Sequence, residues 1–169
     1  MIALDEGTVA VAEPIKHMVV EIKSAWNSPM VVDSAALAGE DHAPWDEEWS
    51  PSGLDDWARA GHNAVVFDKN MDIDACIRLE LWTDEPSPTP PMWDHMWDGD
   101  IYLRSGQLQI HDLHEAWSRG DVFDVGQRDA TWAVRIQHRR LENDQEPDYP
   151  RDIYQVDLFK LQFWKLEAF

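Results

Sequence analysis

Two segments of this 169-residue chain combine carboxylates with tryptophans and contain no lysine or arginine. Residues 40–56 hold seven Asp and Glu with two tryptophans, and residues 84–100 hold five with two more. Carboxylates attract and pair with cationic groups, and buried tryptophans supply affinity at protein interfaces. This combination favours a surface that binds a basic partner protein, and the alternative is two solvated loops whose tryptophans cover the core. The candidate partner-binding residues are Trp45, Asp46, Glu47, Glu48, Trp49, Trp93, Asp94, Trp97, Asp98 and Asp100.

Histidines and aspartates in the same part of the chain suggest an alternative, a metal site. His111 and His114 have the spacing that supplies two zinc ligands from one helical turn, and His95 would be a third. Closely spaced aspartates at positions 94, 98 and 100 offer oxygens for calcium, but the spacing does not match an EF-hand loop. Ordinary surface histidines are the default interpretation, so we predict no cofactor.

Catalytic motifs are absent from the sequence. There is no Gly-x-Ser-x-Gly elbow, phosphate-binding loop or dinucleotide fingerprint. Cys76 is the one cysteine and lies in an apolar stretch, where cysteine behaves as a small hydrophobic residue. We therefore predict a binding protein and not an enzyme. The alternative is a β protein that binds a small ligand or metal, with or without enzymatic activity.

The net charge narrows the class of partner further. The chain carries 33 acidic against 14 basic residues, a formal charge of −19. Such a field repels nucleic acid and anionic membranes and attracts basic proteins. There is no run of 18 apolar residues, and the first residues lack the basic and apolar regions of a signal peptide. We predict a cytoplasmic protein that binds neither membrane nor nucleic acid, and the sequence leaves the oligomeric state open.

Alternation of apolar and polar residues predicts strands over residues 17–25, 63–68, 73–83, 100–104, 107–112, 131–138 and 153–165. Ser105-Gly106 has the composition of a two-residue hairpin turn. The apolar phase changes near Leu158-Phe159, which is typical of a β-bulge. Basic residues cluster around the end of the strand predicted over 131–138, at Arg135, His138, Arg139 and Arg140. The phase of Arg135 predicts that it lies on the less buried face of its strand and pairs with a carboxylate of the same chain.

Helical patterns are scarce. Residues 52–61 are consistent with one short helix between a Ser52 cap and Gly61. Further turns are indicated at residues 34–37 and 111–118. The fold class is therefore all-β and mainly antiparallel, a β-sandwich or open barrel with one or two short helices. We expect a single domain over residues 1–169, with residues 1–16 peripheral or disordered.

The order of these elements resembles a known family. Trp-Asp-Glu-x-Trp at residues 45–49 precedes a strand ending in Val65-Val66-Phe67, and the alternating strand from Cys76 to Trp82 follows. Residues 101–103, 106–110, 123–125, 130–136 and 154–158 continue the pattern. The layout is similar to that of ComJ-like inhibitors of DNA-entry nucleases and of immunity proteins of polymorphic toxin systems, which are bacterial. The resemblance implies an inhibitor that occupies the basic substrate cleft of a nuclease or other toxin.

Overall fold

The computed structural model describes residues 12–23, 29–42, 57–70, 72–88, 93–112, 118–141, 148 and 155–166. These residues form ten strands and one helix of a single turn. The elements are β1 (Lys16–Ile22), β2 (Pro29–Asp33), α1 (Ser34–Leu37), β3 (Ala58–Ala60), β4 (Ala64–Phe67), β5 (Asp74–Leu81), β6 (His95–Leu103), β7 (Gln107–Asp112), β8 (Ser118–Asp124), β9 (Ala130–Leu141) and β10 (Val156–Lys165).

The strands form two five-stranded sheets. The first has the order β1-β5-β10-β9-β6, and the second has the order β3-β4-β2-β7-β8. Every neighbouring pair is antiparallel except β5 and β10, which are parallel. The sheets do not close into a barrel, so the predicted all-β, mainly antiparallel fold is confirmed as a sandwich.

The main core lies between the two sheets. From β5 it receives Ile77 and Leu79, and from β10 it receives Phe159, Leu161 and Phe163, all fully buried. Side chains alternate between the faces of a strand, and the alternating apolar residues of the strands predicted over 73–83 and 131–138 lie on this core face, with Val134 and Ile136 coming from β9.

The outer face of the first sheet is also covered over β5, β9 and β10, and this overturns the predicted β-bulge. Pairing of β10 with β5 runs in continuous register from Val156 to Phe163. The apolar side chains of Val156 and Leu158 instead join a second buried cluster with Cys76 and Leu141. A covered outer face lets successive residues be apolar without an extra residue in the strand.

Two of the three predicted helical segments differ from the structure. The helix predicted over residues 52–61 is wrong at its described end, because Ala58–Ala60 form β3 and pair with β4. Tertiary pairing overrides the weak propensity of a short segment. The helix expected over residues 111–118 is likewise wrong at both described ends, which belong to β7 and β8. The single helical turn expected at Ser34–Leu37 is confirmed.

Ser105-Gly106 connects the two sheets and does not close a hairpin within one. The preceding β6 belongs to the first sheet and the following β7 to the second. The fully buried carboxylate of Asp33 accepts hydrogen bonds from Ser105 N (2.9 Å), Ser105 Oγ (2.6 Å) and Gly106 N (2.9 Å). It also accepts from Ala35 N (2.8 Å) and so caps α1. The buried carboxylate of Asp33 therefore holds the connection between β6 and β7 in place.

Candidate partner-binding surface

The predicted acidic residues that the structure describes meet along strand β6, at one edge of the first sheet. Met96, Asp98 and Asp100 alternate along the strand and are exposed, and Asp94 directly precedes it. We call Asp94, Met96, Asp98 and Asp100 the acidic β6 strip. Asp94 and Asp100 form no ion pair with any described residue. The strip therefore presents negative charge together with one exposed apolar side chain, Met96, which is 49% exposed.

Strand β6 lies at the sheet edge because it pairs fully on one side only. Its partner there is β9, from His95↔His138 to Leu103↔Ala130. On the other side, the described hydrogen bonds are at Tyr102, whose N–H donates to Gly61 O (3.2 Å) and whose carbonyl accepts from Asn63 N (2.7 Å). Inward-facing Ile101 and Leu103 are fully buried and hold the strand on the core.

A buried arginine organises the centre of the strip. Arg135 is only 6% exposed, and its Nε donates to Asp98 Oδ1 at 2.7 Å. Its Nη2 donates to Glu85 Oε1 (2.7 Å) and its Nη1 to Pro86 O (2.8 Å), and the guanidinium lies over the Trp164 ring. The predicted pairing of Arg135 with the chain's own carboxylates is confirmed. Its side of the strand is more deeply buried than expected, because Glu85, Pro86 and Trp164 cover it.

Asp94 is held by the backbone of the neighbouring strand. Its carboxylate accepts from Arg140 N (3.1 Å), and its own N–H donates to His138 O (3.0 Å). Both bonds are with uncharged backbone groups, so they restrain the position of the Asp94 carboxylate without pairing it with a cation.

Two further carboxylates, Asp129 and Asp41, lie beyond the far end of β6, where Asp129 also forms an ion pair with Arg104. Tyr102 OH donates to Asp129 Oδ1 (3.0 Å), and its ring stacks on His62, which contacts Asp41 Oδ2 through Nε2 at 2.9 Å. Hydrogen bonds from Asn63 and His62 hold the pKa of Asp41 well below its usual range. The hydrogen bond from Tyr102 lowers the pKa of Asp129. Both carboxylates stay ionised at neutral pH.

The two described candidate tryptophans pack against the protein itself. Trp97 is partly buried against the main core, and a Cβ at Gly99 would overlap its indole ring. Trp93 packs against the second cluster, with the Lys160 ammonium 5.1 Å from its ring centre. Their positions make them supports for the acidic residues beside them. Sequence reasoning missed Met96, although Met96 shares the phase of Asp98.

Five predicted partner-binding residues lie outside the described residues, namely Trp45, Asp46, Glu47, Glu48 and Trp49. Their assignment to the partner-binding surface therefore stays a prediction.

The histidines of the alternative metal site lie in different sheets. His95 is on β6 of the first sheet, and His111 is on β7 of the second. His114 lies outside the described residues. In the part of the chain that the structure describes, no group of three or more His, Cys, Asp or Glu side chains is arranged to hold a metal ion.

His95 instead belongs to a cluster at the end of β6 and β9. Its ring stacks on His138 with centroids 5.6 Å apart, and Trp57 packs beside both. The almost fully buried Asp157 contacts His138 Nε2 (3.1 Å) and accepts from Arg140 Nε (3.1 Å). Burial alone would raise the pKa of Asp157, but these hydrogen bonds outweigh it and lower the pKa. The cluster thus ties β6, β9 and β10 together beside the strip.

Among the described residues there is no helix with the length and apolar character needed to cross a membrane. No protein-family model matches the chain, and no curated protein matches it significantly.

Two solved structures share the architecture. One is ComJ from Bacillus subtilis, described as an inhibitor of the DNA-degrading activity of NucA. It is 12% identical, with a TM-score of 0.59 over 93% of this chain and 100% of ComJ. The other, described as crocagin biosynthetic gene J, is 16% identical, with a TM-score of 0.53 over 90% of this chain and 100% of the other. The chain therefore has the ComJ fold.

Proposed function

We propose that this protein is an inhibitor that binds a basic partner protein, with a nuclease as the favoured partner, and blocks its substrate site. The observation that carries the proposal is the acidic β6 strip, where three carboxylates lie within the seven residues from Asp94 to Asp100 at one sheet edge. The ComJ fold supports it, since ComJ inhibits the DNA-degrading activity of NucA.

Carboxylates suit this role because a nuclease cleft is built to attract phosphates. Asp94, Asp98 and Asp100 would take the place of backbone phosphates against lysines and arginines of the cleft. The field of a chain with net charge −19 speeds the encounter. Exposed Met96 would add apolar contact between the charges, and the acidic segment at residues 45–49 would add its tryptophans. No chemical step by this protein is required.

The experiment that tests the proposal begins with affinity capture from lysate and culture fluid of the source organism. Bound proteins are eluted with increasing salt and identified by mass spectrometry. Each eluted protein is then purified and assayed for DNA cleavage with and without the inhibitor. The proposal predicts a basic nuclease that elutes in a salt-dependent manner and is inhibited in the cleavage assay. Elution of proteins whose activities are unaffected by this protein would overturn it.

A further inference from the structure

The outer face of the first sheet contains a polar cavity that the proposed inhibitor function does not use. Its volume is about 770 Å³, within the range of small-molecule sites. Neighbouring strands β5 and β10 supply its floor. We call this the outer-face cavity, and its principal lining residues are Arg78, Glu80, Trp82, Lys160 and Gln162.

The carboxylate of Glu80 is saturated by its neighbours. Oε1 accepts from Arg78 Nε (2.7 Å), and Oε2 accepts from Trp82 Nε1 (2.9 Å) and from Gln162 Nε2 (3.0 Å). Burial alone would raise the pKa of Glu80, but the hydrogen bonds from Arg78 and Gln162 outweigh it and lower the pKa. Glu80 is therefore an ionised structural partner, and it is poorly placed to bind an incoming cation.

Among the described residues, the two buried cationic side chains of the cavity, Arg78 and Lys160, keep N–H donors that form no hydrogen bond, and Lys16 and the acidic Glu13 also line the cavity. Arg78 is 8% exposed, and its bond to Glu80 engages one of the five N–H groups of a guanidinium. Lys160 is buried as well, with the half-exposed Asp148 carboxylate 3.6 Å from its ammonium and the Trp93 ring on another side. Buried cations favour an anionic group that returns the hydrogen bonds lost to water.

One acceptor in the cavity is left without a partner. Gln162 is only 3% exposed, and its Oε1 has no hydrogen-bond partner although its Nε2 is bonded to Glu80. A buried carbonyl without a hydrogen-bond partner destabilises the folded protein, because it has lost its bonds to water and gained none in return. The site therefore has an unfilled place for an N–H or O–H donor close to its cationic groups.

We propose that the outer-face cavity binds a small carboxylic acid that carries a hydroxyl or N–H donor beside its carboxylate. The carboxylate pairs with the Arg78 guanidinium, and the adjacent donor bonds to Gln162 Oε1. Lys160 adds positive charge, and the Trp82 indole forms part of the wall. The site takes an anion even though the chain as a whole carries a charge of −19.

Three related compounds test this on the wild-type protein. Glycolate has the carboxylate and the donor, acetate lacks the donor, and glycolamide lacks the charge. Binding is followed by the NMR signal of the Trp82 indole N–H, assigned from its loss in Trp82→Phe. We expect saturable binding of glycolate, roughly tenfold weaker binding of acetate, and none of glycolamide. Equal affinities for all three compounds, or no saturable shift of the Trp82 signal, would overturn the proposal and leave a cavity that holds only water.

A pair of glutamine variants tests the role of Gln162. Gln162→Leu should weaken glycolate to the level of acetate while acetate binding stays unchanged. Gln137→Leu is the matched control, because Gln137 is equally buried on β9 but does not line the cavity. Wild-type preference for glycolate in Gln162→Leu would contradict the assignment. If Gln162→Leu does not fold, the comparison of the three compounds decides on its own.

Discussion

The double substitution Asp98→Asn/Asp100→Asn should slow association with the partner more than it speeds dissociation. Asparagine keeps the shape of aspartate, and its Oδ1 can still accept the hydrogen bond from Arg135 Nε seen at 2.7 Å. The Asp98 side chain is 51% exposed, and the buried Arg135 keeps its hydrogen bonds to Glu85 and to Pro86 O when Asp98 loses its charge. The variant should therefore fold normally while the strip loses two charges.

The expected decrease in the association rate follows from the position of these charges on the open edge of β6. An exposed charge close to a bound partner contributes about 0.5–1 kcal/mol, mainly to the association rate. Two such charges correspond to an association rate roughly tenfold lower at low salt. The salt dependence of that rate should also become weaker, since fewer carboxylates attract the partner.

Stopped-flow association kinetics with the captured partner measure this effect, and Glu21→Gln/Asp121→Asn is the matched control. It removes the same charge from β1 and β8, which contact each other on the side of the sandwich away from β6. Four strand spacings separate β1 from β6, roughly 19 Å or about two Debye lengths at 0.1 M salt. If both double substitutions slow association equally, the acidic β6 strip is not the binding surface, since the total charge alone would then explain the association rate.

Three further predictions concern the supports of the strip. Asp33→Asn removes the charge that accepts four hydrogen bonds at the sheet junction and should cost about 3 kcal/mol in urea unfolding; a loss below ~1 kcal/mol would contradict this. Gly99→Ala should displace the Trp97 ring, seen as a shifted indole N–H signal, and an unchanged spectrum would refute the contact. The lowered pKa of Asp157 means that its stabilisation is present above about pH 4 and is lost as the pH falls through the folded-state pKa. Asp157→Asn should cost about 2–4 kcal/mol at pH 7 and flatten this acid limb of stability, and wild-type pH dependence in the variant would argue against it.

Strands with one buried face could be predicted from the sequence, and the covered outer face could not. The alternation of Ile77 and Leu79 with polar residues identified the core face of β5 because it depends only on strand geometry. The apolar Leu158 was misread as the sign of a bulge, because what covers the outer face comes from distant parts of the chain. The hydrogen bonds of Asp33 to Ser105 and Gly106 were equally hidden, since 72 and 73 residues separate the partners.

The carboxylates of the acidic β6 strip could be predicted from the sequence, and the orientation of its neighbouring side chains was not. Its carboxylates stand out by composition, but Trp97 looked like an exposed anchor because the predicted strand began only at Asp100. Extending the alternation of Ile101 and Leu103 backwards would have placed Trp97 on the inner face and Met96 beside Asp98. The buried position of Arg135 could not be inferred, since Glu85 and Pro86 reach it from a separate loop.

The central claim is tested most directly by titrating the DNA-cleaving activity of the captured nuclease with this protein. Inhibition by blocking the substrate site predicts loss of activity that is complete at a one-to-one ratio and is relieved by excess DNA or by high salt. Cleavage that continues at saturating protein, or inhibition that excess DNA does not relieve, would contradict the account.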